Sequence, residues 1–205
     1  MYHTIVIGGG CLGAAAAISL QRKLNKLGKG EKVCLVEKAV LCAAESSRHS
    51  GIVRSANADP DASIMASMSS KMWKNLSSVW GLDMEIDEFG AIWIAKKNAD
   101  GENPAWSDLS DRMSKIQLVF EEIDTNSATQ KCGETLLTDD NESYFYEPAA
   151  FQLDPSILRS TLYDAIDENG VVLMEKTEVD TILTKGKDII GITTNNGKHD
   201  AKNFV

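Results

Sequence analysis

The chain has 205 residues, with 21 Lys and Arg against 30 Asp and Glu, so its formal net charge at pH 7 is −9. Hydrophobic residues make up 43% and charged residues 25%, which excludes disordered, collagen-like and coiled-coil chains. The acidic balance has no compensating basic block and argues against nucleic acid as a partner, and no apolar run approaches the about 18 residues that a membrane span needs.

The first forty residues predict a strand, a glycine-rich turn, a helix and a second strand. Residues 3–7 and 32–36 are short β-branched runs typical of buried parallel strands. Residues 8–13 read Gly-Gly-Gly-Cys-Leu-Gly and satisfy the G-x-G-x-x-G pattern, and residues 14–27 repeat apolar side chains at helical spacing. The order strand, turn, helix, strand is typical of a dinucleotide site.

Each residue of this motif has a physical role in such a site. Gly8 permits the tight turn, Gly10 lets the backbone approach a pyrophosphate, and Gly13 lets the helix pack closely on the strand. The helix N-terminus offers free N–H groups to a phosphate, and Glu37 can accept hydrogen bonds from ribose hydroxyls but would repel a 2′-phosphate. The cofactor-binding residues predicted here are Gly8, Gly10, Cys11, Leu12, Gly13, Glu37 and Lys38.

The middle of the chain predicts helices and strands in alternation. Residues 60–80 form one predicted helix, whose face of Ile64, Met68, Met72 and Leu76 we expect to pack in the core. The later elements are predicted as strands 84–88 and 91–95, a helix at 105–122, a mixed polar stretch at 123–141, and a strand at 143–147.

The last quarter of the chain predicts a capped helix and several strands. Asp154 as N-cap and Pro155 at the first helical position predict a helix over residues 154–169, which Gly170 ends. Turn signals separate short β segments at 171–174, 178–185, 188–195 and 199–205. We expect the last three of these to form a small β-meander.

A small, polar and basic loop follows the ribose acid. Its core, residues 46–51, reads Ser-Ser-Arg-His-Ser-Gly, and Arg54 comes three residues later. This loop resembles that of the FAD-dependent D-amino-acid oxidase superfamily, which includes glycine oxidase, sarcosine oxidase, the dye-linked proline dehydrogenases and, more distantly, L-2-hydroxyglutarate dehydrogenase. Residues 90–95 are similar to the family's substrate-domain strand, and residues 153–158 to the start of its returning helix. Residues 177–182 are similar to the strand whose valine meets adenine.

The resemblance implies FAD as the cofactor and adds residues to the predicted site. The loop would run under the pyrophosphate and ribityl chain, and a basic side chain near the flavin would stabilise its anionic reduced ring. No Ser/His/Asp or Cys/His constellation is visible. The residues implied are His49 and Arg54 as catalytic candidates, with Ser46, Ser47, Arg48, His49, Ser50, Gly51 and Val179 as cofactor contacts.

Three functions follow from the resemblance. The leading one is oxidation of the C–N bond of a small amine or amino acid, with hydride passing to flavin N5. The first alternative is an FAD-dependent 2-hydroxy-acid dehydrogenase of the L-2-hydroxyglutarate type, with His49 as a candidate base. The second is a non-catalytic portion or subunit of a split flavoenzyme.

The resemblance also implies an α/β fold with a discontinuous organisation. Residues 1–82 and 150–205 would form an incomplete Rossmann-like FAD-binding domain of the glutathione-reductase type, and residues 83–149 part of an α+β substrate domain. The family runs to roughly twice this length. We therefore expect a missing second half or a second chain to complete the fold, and weak FAD retention by these residues alone.

The four cysteines and three histidines are scattered. No CxxC or paired spacing occurs, so we expect neither a metal site nor a disulfide framework. A reducing compartment follows, with the cytoplasm as the expected location and an organelle matrix or a membrane periphery as alternatives.

Overall fold

A computed structural model describes residues 1–57, 59–80, 84, 86–133 and 139–205. In chain order its strands are β1 (Tyr2–Ile7), β2 (Val33–Val36), β3 (Ile52–Val53), β4 (Ala91–Lys96), β5 (Glu121–Ile123), β6 (Glu142–Glu147), β7 (Phe151–Gln152), β8 (Val172–Met174), β9 (Val179–Lys185), β10 (Asp188–Thr194), β11 (Gly197–His199) and β12 (Ala201–Phe204). The helices are α1 (Cys11–Lys26), α2 (Pro60–Lys74), α3 (Leu76–Trp80), α4 (Pro104–Lys115), α5 (Thr125–Cys132) and α6 (Pro155–Asn169).

The chain divides into two compact units. The first comprises Met1–Ser50, Leu76–Met84 and Asp154–Val205, and the second Gly51–Asn75 and Glu85–Leu153. The predicted domain boundary at residue 82 lies outside the described residues. Residues 51–75 and 150–153, which the sequence assigned to the cofactor domain, belong to the second compact unit.

A parallel four-stranded sheet forms the centre of the first unit, in the order β12-β1-β2-β8. This confirms the α/β class and the two buried parallel strands that the N-terminal sequence predicts. Adjacent residues on a strand point to opposite faces, so Ile5 and Val6 lie on different sides of the sheet. Ile5 packs with Cys34, Val36 and Ile192 of β10, so the β9–β11 meander covers that face.

Helices α1 and α6 also belong to the first unit. Gln21, buried on α1, accepts a 2.7 Å hydrogen bond from the Val33 N–H and so aligns α1 with β2. Asn25 of the same helix donates to the Asn169 carbonyl at the end of α6 over 3.0 Å. As predicted, Asp154 caps α6, Pro155 opens it and Gly170 ends it in the left-handed conformation.

The C-terminal meander differs from the prediction in its last strand. β9, β10 and β11 form an antiparallel sheet in the order β11-β10-β9. The predicted strand at 199–205 divides after His199, and β12 leaves the meander to pair in parallel with β1. The backbone N–H and carbonyl groups of β12 form hydrogen bonds with the edge of β1. Local turn signals in the sequence cannot indicate this pairing, because the two strands are far apart in the chain.

The second unit contains an antiparallel sheet in the order β4-β6-β5, with α4 packed on it. The predicted helix at 105–122 ends early, because Gln117 adopts a left-handed φ of 61° and β5 begins at Glu121. Phe120 still joins the core, stacked on Phe145 at 5.4 Å between ring centroids. Of the predicted strand at 84–88, Asp87 forms a single bridge to Gln152, while Glu85 lies outside the described residues.

Helix α2 turns the opposite face inward from the one expected. The predicted helix at 60–80 is broken at Asn75, and the buried residues of its first part, α2, are Ser63 and Ser70. Ile64, Met68 and Met72 are exposed, so the expectation that they pack in the core was wrong, whereas Leu76 at the start of α3 is buried as expected. The Ser63 hydroxyl donates to the Asn57 and Asp59 carbonyls, and such contacts with the preceding loop select the small polar face.

Candidate functional site

The turn between β1 and α1 is tight. Gly8 has a φ of 106°, and its N–H donates to the Val36 carbonyl of β2 over 2.8 Å. Gly10 precedes the helix in an extended conformation with no side-chain cap, and the first helical turn carries no acidic residue. The positive end of the α1 dipole therefore has no compensating carboxylate on its own helix.

The glycines of this turn form a cradle that side chains would fill. A Cβ atom at Gly13 would lie 1.9 Å from the Gly8 carbonyl oxygen, and one at Gly9 would lie 2.8 Å from the Glu37 Cβ. A Cβ at Gly10 would lie 3.1 Å from the Ser46 hydroxyl oxygen. The residues present therefore fit a ligand that approaches the backbone closely.

Glu37 connects the end of β2 to this turn. Its Oε2 accepts a 2.6 Å hydrogen bond from the Gly9 N–H, and its Oε1 accepts a 2.8 Å bond from the Ala39 N–H. Gly9 was absent from the predicted site residues, although it stands between two that were named. Its N–H and carbonyl both bind the β2 side of the site, since the carbonyl accepts from the Cys42 N–H over 2.8 Å.

A cleft of about 210 Å³ opens at the carboxyl ends of β1 and β2. Four predicted site residues, Gly8, Glu37, Lys38 and Val179, line it together. Residues 36–38 and 177–179 both line it, and a hydrogen bond of 2.9 Å from the Thr177 N–H to the Glu37 carbonyl joins the two segments. Clefts at the carboxyl ends of parallel strands are where such folds bind ligands.

The loop after β2 brings one of its predicted residues to the turn. Ser46, in a 3₁₀ turn at Glu45–Ser47, accepts a 3.0 Å hydrogen bond from the Cys11 N–H. His49 Nε2 lies 3.0 Å from the Ser46 carbonyl oxygen. Arg48, His49 and Ser50 are exposed in this loop.

Two cysteines lie at the same turn, although no spacing in the sequence indicates that they approach each other. Cys11 is the first residue of α1 and a predicted site residue, whereas Cys42 was not singled out. Their sulfur atoms are 4.0 Å apart. Cys42 is 2% exposed and has a left-handed φ of 55°.

Glu175 positions the loop that carries Cys42. Its Oε1 accepts from the Leu41 N–H over 2.7 Å and from the Tyr163 hydroxyl. The next residue, Lys176, donates its N–H to the Ala39 carbonyl over 2.8 Å. The loop after β2 is thus fixed by β8 as well as by the glycine turn.

Arg54 lies in the second unit, whereas His49 lies in the first. The Arg54 guanidinium stacks 4.4 Å above the Trp93 ring, and its Nη1 donates to the Ala56 carbonyl over 3.2 Å. Glu147, 1% exposed, accepts hydrogen bonds from the Ser55 and Ala56 N–H groups and from the Trp93 indole. This buried carboxylate fixes the backbone that carries Arg54.

Gly51 is set against the returning strand. It has a φ of 78°, and a Cβ there would lie 1.8 Å from the Leu153 carbonyl oxygen. Its own carbonyl accepts from the Leu153 N–H over 3.0 Å. Gly51 is therefore required by close backbone packing, whatever its relation to a cofactor.

Within the described ranges, no group of three or more His, Cys, Asp and Glu side chains could hold a metal ion. Among these same residues no helix is long and apolar enough to cross a membrane.

Comparison with known proteins gives a family match over nearly the whole chain. The model of the family described as "DAO: FAD dependent oxidoreductase" matches residues 3–205. L-proline dehydrogenase from P. horikoshii superposes with a TM-score of 0.84 at 21% identity, covering 99% of this chain and 51% of that one. Glycine oxidase from Bacillus cereus gives 0.78 at 22%, covering 100% and 54%.

Of two further relatives, one is named as an enzyme and the other as a regulatory subunit. L-amino acid deaminase from Proteus vulgaris superposes with a TM-score of 0.81 at 18% identity, covering 100% of this chain and 46% of that one. The mitochondrial pyruvate dehydrogenase phosphatase regulatory subunit of Mus musculus is 22% identical over 203 residues, which are 99% of this chain and 22% of that protein. The chain thus spans about half the length of these solved relatives and about a fifth of the curated one.

Proposed function

Since the chain belongs to the family of FAD-dependent oxidoreductases, we propose that it is the cofactor-binding portion of an enzyme that oxidises the C–N bond of a small amine or amino acid. The observation that carries this proposal is the bond between Glu37 and Gly9 at the glycine turn. It supports a ribose acceptor and a phosphate cradle side by side at the carboxyl ends of two parallel strands, where such folds bind dinucleotides.

The first unit supplies the groups that would hold FAD. The first turn of α1 and the backbone at Gly10 would bind the pyrophosphate, Glu37 the adenosine ribose, and Val179 the adenine. Ser46 accepts a hydrogen bond from the Cys11 N–H and would therefore border the proposed phosphate position. The sheet order β8-β2-β1-β12 is that of a dinucleotide-binding half, which supports an arrangement of the glutathione-reductase type.

The second unit would contribute to the substrate side. When bound, FAD would supply the hydride acceptor, at flavin N5. Arg54 is proposed to stabilise negative charge near the flavin, held by Trp93 and by the loop that Glu147 anchors. We keep the proposed cofactor domain at residues 1–82 and 150–205, and the substrate domain at 83–149.

The names of the solved relatives support an amino-acid substrate. Proline dehydrogenase, glycine oxidase and L-amino acid deaminase all act on amino acids by name. The 2-hydroxy-acid alternative requires a base for the hydroxyl, and His49 is exposed in the loop that would provide it. We propose the cytoplasm as the location, with an organelle matrix as the alternative that the mitochondrial relative favours.

A non-catalytic role is the second candidate, and the name of the curated relative favours it, since that protein is a regulatory subunit. Under this proposal the same fold would serve a larger assembly or a partner chain.

The encoded full-length protein tests these alternatives. A yellow protein that reduces a dye with proline, sarcosine or glycine supports amine oxidation, and turnover of 2-hydroxyglutarate alone supports the hydroxy-acid alternative. A protein that stays colourless after FAD is added overturns both and supports the non-catalytic role.

A further inference from the structure

Cys11 and Cys42 are held near each other by backbone contacts on both sides. The Cys42 N–H donates to the Gly9 carbonyl over 2.8 Å, and the Cys11 N–H donates to Ser46 Oγ over 3.0 Å. The two sulfur atoms are 4.0 Å apart although 31 positions separate the residues in sequence. Formation of a disulfide would shorten this separation to about 2.05 Å.

The two thiols differ in access. Cys11 is partly exposed at the start of α1, whereas Cys42 is buried. Cys11 is therefore the more accessible of the two to a small disulfide in solution, and the Cys42 sulfur, 4.0 Å away, is placed to react with Cys11 next. Cys34 is buried within the sheet and Cys132 lies in the other compact unit, so neither offers the same combination.

The pKa of Cys11 also favours a reaction in which Cys11 reacts first and Cys42 second. The hydrogen bond with the Cys42 thiol, opposed by burial and aided by Ser46 and His49, lowers the pKa of Cys11 to about 6. Burial raises the pKa of the Cys34 thiol to about 11. The lowered pKa favours the thiolate of Cys11 near neutral pH, and the thiolate is the nucleophilic form.

We propose that Cys11 and Cys42 are a modification site at which low-molecular-weight disulfides form a reversible intramolecular disulfide. The Cys11 thiolate attacks one sulfur of the small disulfide, forms a mixed disulfide and releases one small thiolate. Cys42 then loses its proton and attacks the Cys11 sulfur, releasing the second small thiolate. Two protein thiols are oxidised by two electrons, and one small disulfide is reduced to two thiols.

The disulfide would add a covalent connection across the glycine turn. It would join the first residue of α1 to the loop after β2, which are both sides of the cradle described above. This inference concerns the chain's own thiols, and it stands whether or not the protein binds FAD.

Peptide mass spectrometry on the full-length protein tests the proposal. Reduced protein is incubated at neutral pH with oxidised glutathione, its free thiols are trapped with N-ethylmaleimide, and the digest is compared with a sample re-reduced by dithiothreitol. We expect a cross-linked peptide pair containing Cys11 and Cys42, two hydrogens lighter than the sum of its parts, which dithiothreitol abolishes.

Serine variants separate the two roles. In Cys42→Ser we expect a glutathione adduct that accumulates on Cys11, and in Cys11→Ser we expect no modification of Cys42. The matched controls Cys34→Ser and Cys132→Ser should form the cross-link as the wild type does. Three results in the wild type would each overturn the proposal: a stable glutathione adduct on Cys11, a cross-link to another cysteine, or the absence of any modification. The test in the wild type does not depend on whether the variants fold.

Discussion

The Oε2 atom of Glu37 accepts a hydrogen bond of 2.6 Å from the backbone N–H of Gly9, so one carboxylate connects the end of β2 to the turn that follows β1. The same side chain lines the cleft at the ends of these strands. A residue that both fixes the turn and faces the proposed ribose position should affect ligand binding more than folding.

We therefore expect Glu37→Ala to weaken the binding of ADP and FAD by about tenfold to about a hundredfold, because a hydrogen bond to a charged group contributes about 1.5–3 kcal/mol. Isothermal titration calorimetry measures the loss. Asp188→Ala removes an exposed carboxylate on β10 and should leave the affinity unchanged. Equal affinities for Glu37→Ala and the wild type would remove Glu37 from the proposed site.

Gly13 allows α1 to approach the turn after β1. A Cβ atom there would lie 1.9 Å from the Gly8 carbonyl oxygen, so Gly13→Ala should lower the free energy of unfolding by about 1–3 kcal/mol. Gly30 is exposed, has an ordinary φ, and would place its Cβ in open space. Gly30→Ala should be neutral or slightly stabilising in the same urea titrations, and a comparable loss in both variants would contradict this account.

The pH dependence of alkylation tests the environment of Cys11. Since its pKa is lowered to about 6, the thiolate should persist down to that pH. The rate of modification by iodoacetamide should be constant above pH 7 and half-maximal near pH 6, whereas an ordinary thiol is half-maximal near about pH 8.5. Cys42→Ala removes the hydrogen-bond donor and should move the midpoint upwards. A wild-type midpoint near that of an ordinary thiol would show that Cys42 does not stabilise the Cys11 thiolate.

Glu147 is a buried acceptor for three N–H groups, two from the backbone of Ser55 and Ala56 and one from Trp93. Glu147→Gln turns one acceptor oxygen into a donor, so at least one of these groups loses its partner. We expect a loss of about 1–3 kcal/mol in the free energy of unfolding. Glu121→Gln, at an exposed position on β5, should change it by less than about 0.5 kcal/mol. Equal stabilities of the two variants would show that the carboxylate is dispensable.

The N-terminal strand–turn–helix–strand arrangement was predictable because its signals are local. Strand, turn, helix and acid follow one another within forty residues, and Gly8, Gly13 and Glu37 occupy the positions that the motif requires. The pairing of β12 with β1 and the approach of Cys42 to Cys11 depend instead on contacts between distant residues. The spacing of residues in a single sequence does not predict contacts between such distant positions.

For helix α2, the apolar periodicity alone predicted the wrong face to be buried. Its apolar residues recur at helical spacing, which indicates one apolar stripe but not what covers it. In the structure the serine face packs inward, because Ser63 and Ser70 bond to the preceding loop and Met68 remains 63% exposed. Met113 of α4, by contrast, is 1% exposed and packs in the cluster that contains Phe120 and Phe145.

A pair of methionine substitutions tests the difference in burial between Met113 on α4 and Met68 on α2. Met113→Ala creates a cavity beside Phe120 and Phe145 and should lower the free energy of unfolding by about 2–5 kcal/mol. Met68→Ala removes a side chain that is mostly in solvent and should change it by less than about 0.5 kcal/mol. Both values come from urea titrations followed by circular dichroism. If Met68→Ala cost as much as Met113→Ala, the exposed face of α2 would be packed in the protein as it exists in solution, and the orientation described here would be wrong.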